Sequence, residues 1–411
     1  MKGIARFFTL YWIIYFPTCI AYNDLPGFSS VDEVMTVLLF VYTLWMYGNN
    51  RSINRRPWKE FMVCISLIAF YTVYSLLFGA NVAGGVWLDL MQEIRPYTII
   101  YCTWILNPRF TKKQKKWMLG TMVLTLFSWI LYHPATFESQ NAEFPVLGQL
   151  AICTGMSWYL FTKETKRNRN IALLLVLTGM LAPKFKFMGE VVCFIGFVYI
   201  VKNRLNFKSP KTIIYAVLLV TVILMVTWTR FDTYYVSGLD NENLARPMTY
   251  KTSLQIFVDY FPLGSGMGTF ACNGAWKFYS PLYYKYNLNG IWGLDEGGGF
   301  ICDAYYPTLA QFGIVGVFFF CWFWKRRLVA FNQIVDMRYY RVAMLTFCCL
   351  AIEQTADSSW LSGKGMGYCM LIALCLNANR NLMMEMKRQQ MLKRKKEMLL
   401  EQRKSVKEEM D

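Results

Sequence analysis

The chain has 411 residues, of which 55% are hydrophobic and only 17% charged. Soluble domains carry about a quarter charged residues, so these figures argue against a soluble globular enzyme and exclude a disordered chain. The formal net charge of +17 suits either nucleic acid or a membrane surface. Lys and Arg fall in short clusters between apolar runs, with no basic stripe carrying base-stacking aromatics, which selects the membrane.

In chain order, twelve apolar stretches approach the bilayer length of about 20 residues. They cover 5–22, 33–48, 60–79, 86–106, 117–133, 146–162, 170–183, 188–202, 212–230, 303–324, 339–354 and 365–380. The first follows Met-Lys-Gly-Ile-Ala-Arg but no small-x-small cleavage site, so it reads as an uncleaved membrane helix. The expected fold is an all-α polytopic membrane protein with about twelve transmembrane helices. Its parts are helices one to nine over 1–230, a long loop over 231–302, helices ten to twelve over 303–380, and a charged tail over 381–411.

The loops sort by charge. One set holds Lys2 and Arg6, Arg51 to Arg56, Lys112 to Lys116, Lys163 to Arg169, Lys202 to Lys211, Lys325 to Arg327 and the tail. The alternate set is poorer in Lys and Arg and holds Asp24, Asp32, Glu33, Glu138 and Glu143. Strict alternation puts both termini in the cytoplasm and the 231–302 loop outside. The tail, with Leu392, Leu399 and Val406 at heptad spacing, reads as a cytoplasmic helix, resting on anionic lipid or making a short coiled-coil contact.

The long loop is dense in aromatics, among them Tyr250, Trp276, Tyr283, Tyr284 and Trp292. They suit an interfacial belt and a small core, or a platform for sugar rings. Of the twelve cysteines, only Cys272 and Cys302 fall in this polar segment. No spacing pattern marks a bridge between them. The only histidine, His133, excludes multi-histidine metal sites.

Four cations lie toward the outer side. Arg95 is in the fourth stretch, Arg246 is in the loop, and Lys184 and Lys186 form the hinge after Pro183. Two lysines on the side poor in positive charge are either snorkelling at helix ends or converging on a phosphate or pyrophosphate. The glycine-rich Pro262–Phe270 run lacks the Lys-Ser/Thr of a nucleotide loop, so its glycines read as a tight backbone turn. Asp303, at the mouth of the tenth stretch after Gly297–Gly299, could be a general base or a helix cap; these residues alone slightly favour the cap.

Together these motifs resemble the O-antigen polymerase/ligase family. The run from Arg246-Pro247 through Pro262–Phe270, Tyr279–Tyr286 and Asp303 to Gly313–Gly316, with the basic hinge at Lys184 and Lys186, carries the likeness over about 80 residues. The resemblance implies a GT-C-like, metal- and cofactor-independent glycosyltransferase of the bacterial inner membrane. Its long loop would be periplasmic and its substrate an undecaprenyl-pyrophosphate-linked oligosaccharide. It implies Asp303 and Arg246 as catalytic. Lys184, Lys186, Arg95, Tyr250, Tyr283 and Tyr284 would bind substrate. Membrane lipid and a chain-length regulator are the expected partners, and nucleic acid is not. The ligase branch usually has His where this chain has Asp303, so polymerisation of O-antigen, capsule or exopolysaccharide repeat units is favoured. Transfer to lipid A core is the alternative, and a flippase or transporter comes after it. A carboxylate beside cations is expected to have a lowered pKa.

Overall fold

The computed structural model describes residues 2–24, 30–49, 53–132, 144–181, 184–205 and 209–408. His133 and Pro183 lie outside the described residues, as do Arg51, Glu138, Glu143 and Lys208 from the loop-charge pattern. The described residues form helices and no strands. In order these are α1 (Lys2–Asp24), α2 (Val31–Asn49), α3 (Trp58–Phe78), α4 (Ala83–Leu106), α5 (Lys112–Tyr132), α6 (Phe144–Phe161), α7 (Lys166–Leu177) and α8 (Phe185–Ile195). There follow α9 (Pro210–Tyr235), α10 (Ala245–Asp259), α11 (Asn273–Lys277), α12 (Pro281–Lys285), α13 (Gly313–Asn332), α14 (Met337–Glu353), α15 (Met366–Leu376) and α16 (Ala378–Glu408).

Among the described residues, four stretches are long and apolar enough to cross a membrane, Val31–Asn49, Trp58–Phe78, Thr212–Tyr235 and Tyr306–Asn332. They mark the chain as a membrane protein. The other apolar stretches also fall on helices, but these are shorter, more polar or broken. The stretch at 170–183 is α7 continued by a 3₁₀ turn over Thr178–Leu181. The stretch at 303–324 starts later than its sequence suggests, with a 3₁₀ segment over Tyr306–Phe312 before α13. Helix α9 runs on to Tyr235, so the long loop occupies 236–305 rather than 231–302.

Local sequence sets several helix ends. Thr165 caps α7 by accepting from the Asn168 N–H at 3.2 Å, and Asp336 caps α14 by accepting from Arg338 N–H at 2.9 Å. Asn107 ends α4 in the left-handed conformation, at φ 48°, a conformation that Asn tolerates. Helices α4 and α15 pack together at the centre, and nearly all of α15 is buried. Helices α2 and α3 flank α4, α1 packs on α5, and α6 on α7. Helix α9 leans mainly on α8, α10 and the short turn after it; almost none of its span is buried.

The loop has a core of its own, built on Ile256, Phe270, Tyr283, Leu288, Leu294 and Ile301. It is fastened to the helices through Gly264, Gly266 and Gly268, all at positive φ. The Tyr74 hydroxyl donates to Gly264 O at 2.9 Å, and Gly268 N–H donates to Asp89 Oδ2 at 2.9 Å. Gln311 is a node: its Oε1 accepts from Thr269 N–H at 2.7 Å while its Nε2 donates to Asp89 at 3.3 Å. The glycines thus make a tight turn that fits against α3 and α4.

A Cβ on Gly268 would sit 2.5 Å from the Gly85 carbonyl group, at a φ of +76°. Gly268→Ala therefore combines backbone strain with overlap, roughly 2–4 kcal/mol together. Gly297, at φ +82° with nothing within 4 Å of the added atom, should show the strain alone, about 1–2 kcal/mol. Thermal unfolding in detergent should place Gly268→Ala clearly below Gly297→Ala; equal midpoints would contradict the close fit.

Candidate functional site

The hinge residues meet the end of α14. Lys184 is the N-cap of α8, and Lys186 lies in its first turn. The next residue, Phe187, fixes that turn, because its ring fills the space that Cβ atoms on Gly148 and Gly179 would occupy. Lys186 Nζ lies 2.7 Å from Glu353 Oε2 and 2.7 Å from Asp357 Oδ2. All three side chains are buried or nearly so, with relative exposures of 11%, 2% and 10%. Gln149 donates to Glu353 at 2.9 Å, Ser359 donates to it at 3.0 Å, and Lys364 reaches Asp357 at 3.4 Å. Burial raises the Asp357 carboxyl, but Lys186 and Lys364 outweigh it and hold the group well below the usual carboxylate range.

Beside this cluster stands a second pair. Arg246, in the first turn of α10, donates from Nε to Asp303 Oδ2 at 2.6 Å, and a terminal guanidinium nitrogen reaches the same oxygen. The guanidinium lies 4.4 Å over the Tyr234 ring. The following 3₁₀ segment has Tyr305 at its N-cap position. Asp303 does not cap it: its carboxylate is turned to Arg246. Nor is its pKa lowered. Burial raises it to about 6, and Arg246 only partly offsets this. Asp303 is therefore ionised at neutral pH, yet far more basic than an ordinary aspartate.

The two groups share one electrostatic neighbourhood. Burial, then Lys186 and Arg230, push the Lys184 ammonium below its ordinary value, and Asp303 and Arg246 act on the same group. Lys184, Lys186, Arg230, Arg246 and Lys364 thus gather with Asp303, Glu353 and Asp357, and the Glu190 carboxyl is buried against Glu353. A gathering of cations at one end of the helices suits an anion.

The remaining sequence candidates fall elsewhere or act differently. Arg95 is engaged by Asp32 at 2.8 Å, Glu33 at 2.5 Å and the Leu361 carbonyl at 2.5 Å. It braces α2, α4 and the segment before α15, and its charge is already matched there. Tyr250 does reach the site, where its hydroxyl donates to Thr355 O at 3.0 Å beside that of Tyr235 at 2.7 Å. It is a wall of the site that ties α10 to the end of α14. Tyr283 is fully buried in the loop core, stacked on Phe270, and its hydroxyl accepts from Ala271 N–H. A ring so enclosed offers no face to a sugar. Tyr284 is exposed, edge-on to Tyr279. Cys272 and Cys302 are both free thiols.

No protein-family model matches the chain, and no curated protein matches it at a significant level.

Proposed function

We propose that the protein polymerises undecaprenyl-pyrophosphate-linked oligosaccharide repeat units at the periplasmic face of the bacterial inner membrane. The observation that carries this reading is the Arg246–Asp303 pair beside the hinge lysines. A carboxylate that is basic yet ionised at neutral pH stands next to a gathering of cations, at the loop end of a membrane protein. In this reading the cations hold the pyrophosphate of the donor glycan. Asp303 takes the proton from the acceptor sugar hydroxyl as its oxygen bonds to the anomeric carbon. The bond from that carbon to the pyrophosphate oxygen breaks, and the lipid pyrophosphate leaves with the bonding pair. Among the described contacts, both Arg246 donors fall on Oδ2, which leaves Oδ1 for the hydroxyl.

The reading takes the twelve apolar stretches as membrane helices, with both termini cytoplasmic and residues 236–305 outside. Paired reporter fusions at Asn289 and after Lys393 test it. Asn289 should report a periplasmic position and Lys393 a cytoplasmic one; a cytoplasmic signal at Asn289 would remove the proposed site from its substrate. The activity is tested by reconstituting the purified protein in liposomes with lipid-linked repeat units. A ladder of lipid-linked chains is expected. A single transfer onto lipid A core, without a ladder, would assign the ligase reaction instead.

A further inference from the structure

We propose that α10 lies in the headgroup layer of the bilayer at the loop end of the helices, with Leu254, Val258 and Phe261 set among the lipid acyl chains. This gives the loop a lipid-binding surface, and it does not depend on the reaction proposed above.

Helix α10 is apolar on two faces. Its inner face holds Ala245, Thr249, Thr252 and Ile256, all buried, and the helix packs on the 3₁₀ segment over Tyr306–Phe312. The opposite face carries Leu254 and Val258, one turn apart. Phe261 follows in the turn that ends the helix, its N–H donating to Val258 O at 3.3 Å. These three side chains are 70%, 72% and 67% exposed. A row of large apolar side chains turned outward marks a surface that meets something other than water.

The row continues the sides of two membrane-spanning stretches. On α3, Phe70, Tyr74 and Phe78 follow one turn apart, with successive ring centroids 6.4 and 5.8 Å apart, and Phe70 and Phe78 are exposed. The Tyr74 hydroxyl in that row donates to Gly264 O at 2.9 Å. On α13, Ile314 and Phe318 are also one turn apart and exposed, and the Ile314 N–H donates to Pro262 O at 3.0 Å. The chain directly after Phe261 is thus fastened to the exposed apolar rows of both helices, and it is this continuity that selects lipid as the occupant.

The other end of α10 is held at the same level. The Arg246 guanidinium lies over Tyr234, near the loop end of α9, and the Tyr250 hydroxyl donates to Thr355 O, just past α14. Helix α10 therefore runs across the loop ends of the helices and does not rise away from them. Beside the row, Lys285 Nζ lies 4.6 Å over the Tyr260 ring and 5.2 Å over that of Tyr286. A lysine among tyrosines suits the membrane–water boundary, where the rings sit at headgroup depth and the ammonium reaches lipid phosphate.

The test places the photoreactive residue p-benzoylphenylalanine at Leu254, Val258, Phe70 or Asn289 of the full-length protein, in membranes carrying radiolabelled phospholipid. Phe70 is the reference for a lipid-facing position, and Asn289, exposed in the loop, is the reference for a water-facing one. Irradiation should attach labelled phospholipid to the chain at Leu254, Val258 and Phe70, and none at Asn289. Label at Phe70 but not at Leu254 or Val258 would overturn the proposal, as would equal labelling at Asn289. Adducts of Leu254 and Val258 with a second protein in place of lipid would overturn it too, and make this face a protein interface.

Discussion

Asp303→Asn is expected to abolish polymer formation while the protein accumulates in the membrane at its normal level. The substitution keeps the size of the side chain and removes its charge. General-base catalysis contributes about 10²–10⁴-fold, and an amide cannot accept the proton. The pH dependence follows from the same group. Asp303 titrates near pH 6, so it is protonated and inactive below that value and ionised above it. The wild-type rate should rise as the pH increases through about 6 and then level off. Any residual rate of Asp303→Asn should lack this rise. Polymer at wild-type length and yield from the Asn variant would end the claim.

The second large effect is on stability. Lys186→Met keeps the apolar stem and removes the charge, which strands Glu353 in a buried site and leaves Asp357 with the more distant Lys364 alone. Breaking a buried pair by removing one partner costs about 3–5 kcal/mol. Lys186→Met should therefore unfold at a markedly lower temperature and reach a lower level in the membrane. Lys186→Arg should largely hold, and adding Glu353→Gln and Asp357→Asn to Lys186→Met should recover stability. A Lys186→Met protein with the wild-type midpoint would show that the three groups do not depend on one another. On this account Lys186 positions the hinge and is not the anion's main contact.

The helical architecture was legible because a membrane segment announces itself by local composition, and each of the twelve apolar stretches falls largely on a helix. Ends were less legible. The tenth stretch begins in a 3₁₀ segment, because Pro307 and the turn around Gly313 interrupt what hydropathy reads as continuous. In the site, Arg246 and Asp303 were singled out and do meet, across 57 residues of chain. Their mutual effect was misjudged, because burial is invisible in a sequence and here outweighs the neighbouring cation. The partners of Lys186 lie 167 and 171 residues away, and no local pattern points to them. Arg95 misled for the same reason, since nothing near it in the chain shows that Asp32 and Glu33 neutralise it. Tyr283 and Tyr284 are adjacent and chemically alike, yet one is core and the other surface; only the fold of the loop separates them. Arg230 ends an apolar stretch, where a lone cation reads as a boundary marker.

The node at Gln311 and the pairing of Lys186 also impose an order on synthesis. The loop's glycine turn is complete only when Asp89, made long before it, and Gln311, made after it, are both present. Lys186 likewise emerges well before its counter-ions, and the whole loop is translated before Glu353 and Asp357 appear. The hinge is therefore left with an unmatched charge while the nascent chain grows. It acquires its counter-ions only when the end of α14 and the segment after it arrive, so this end of the protein is completed late.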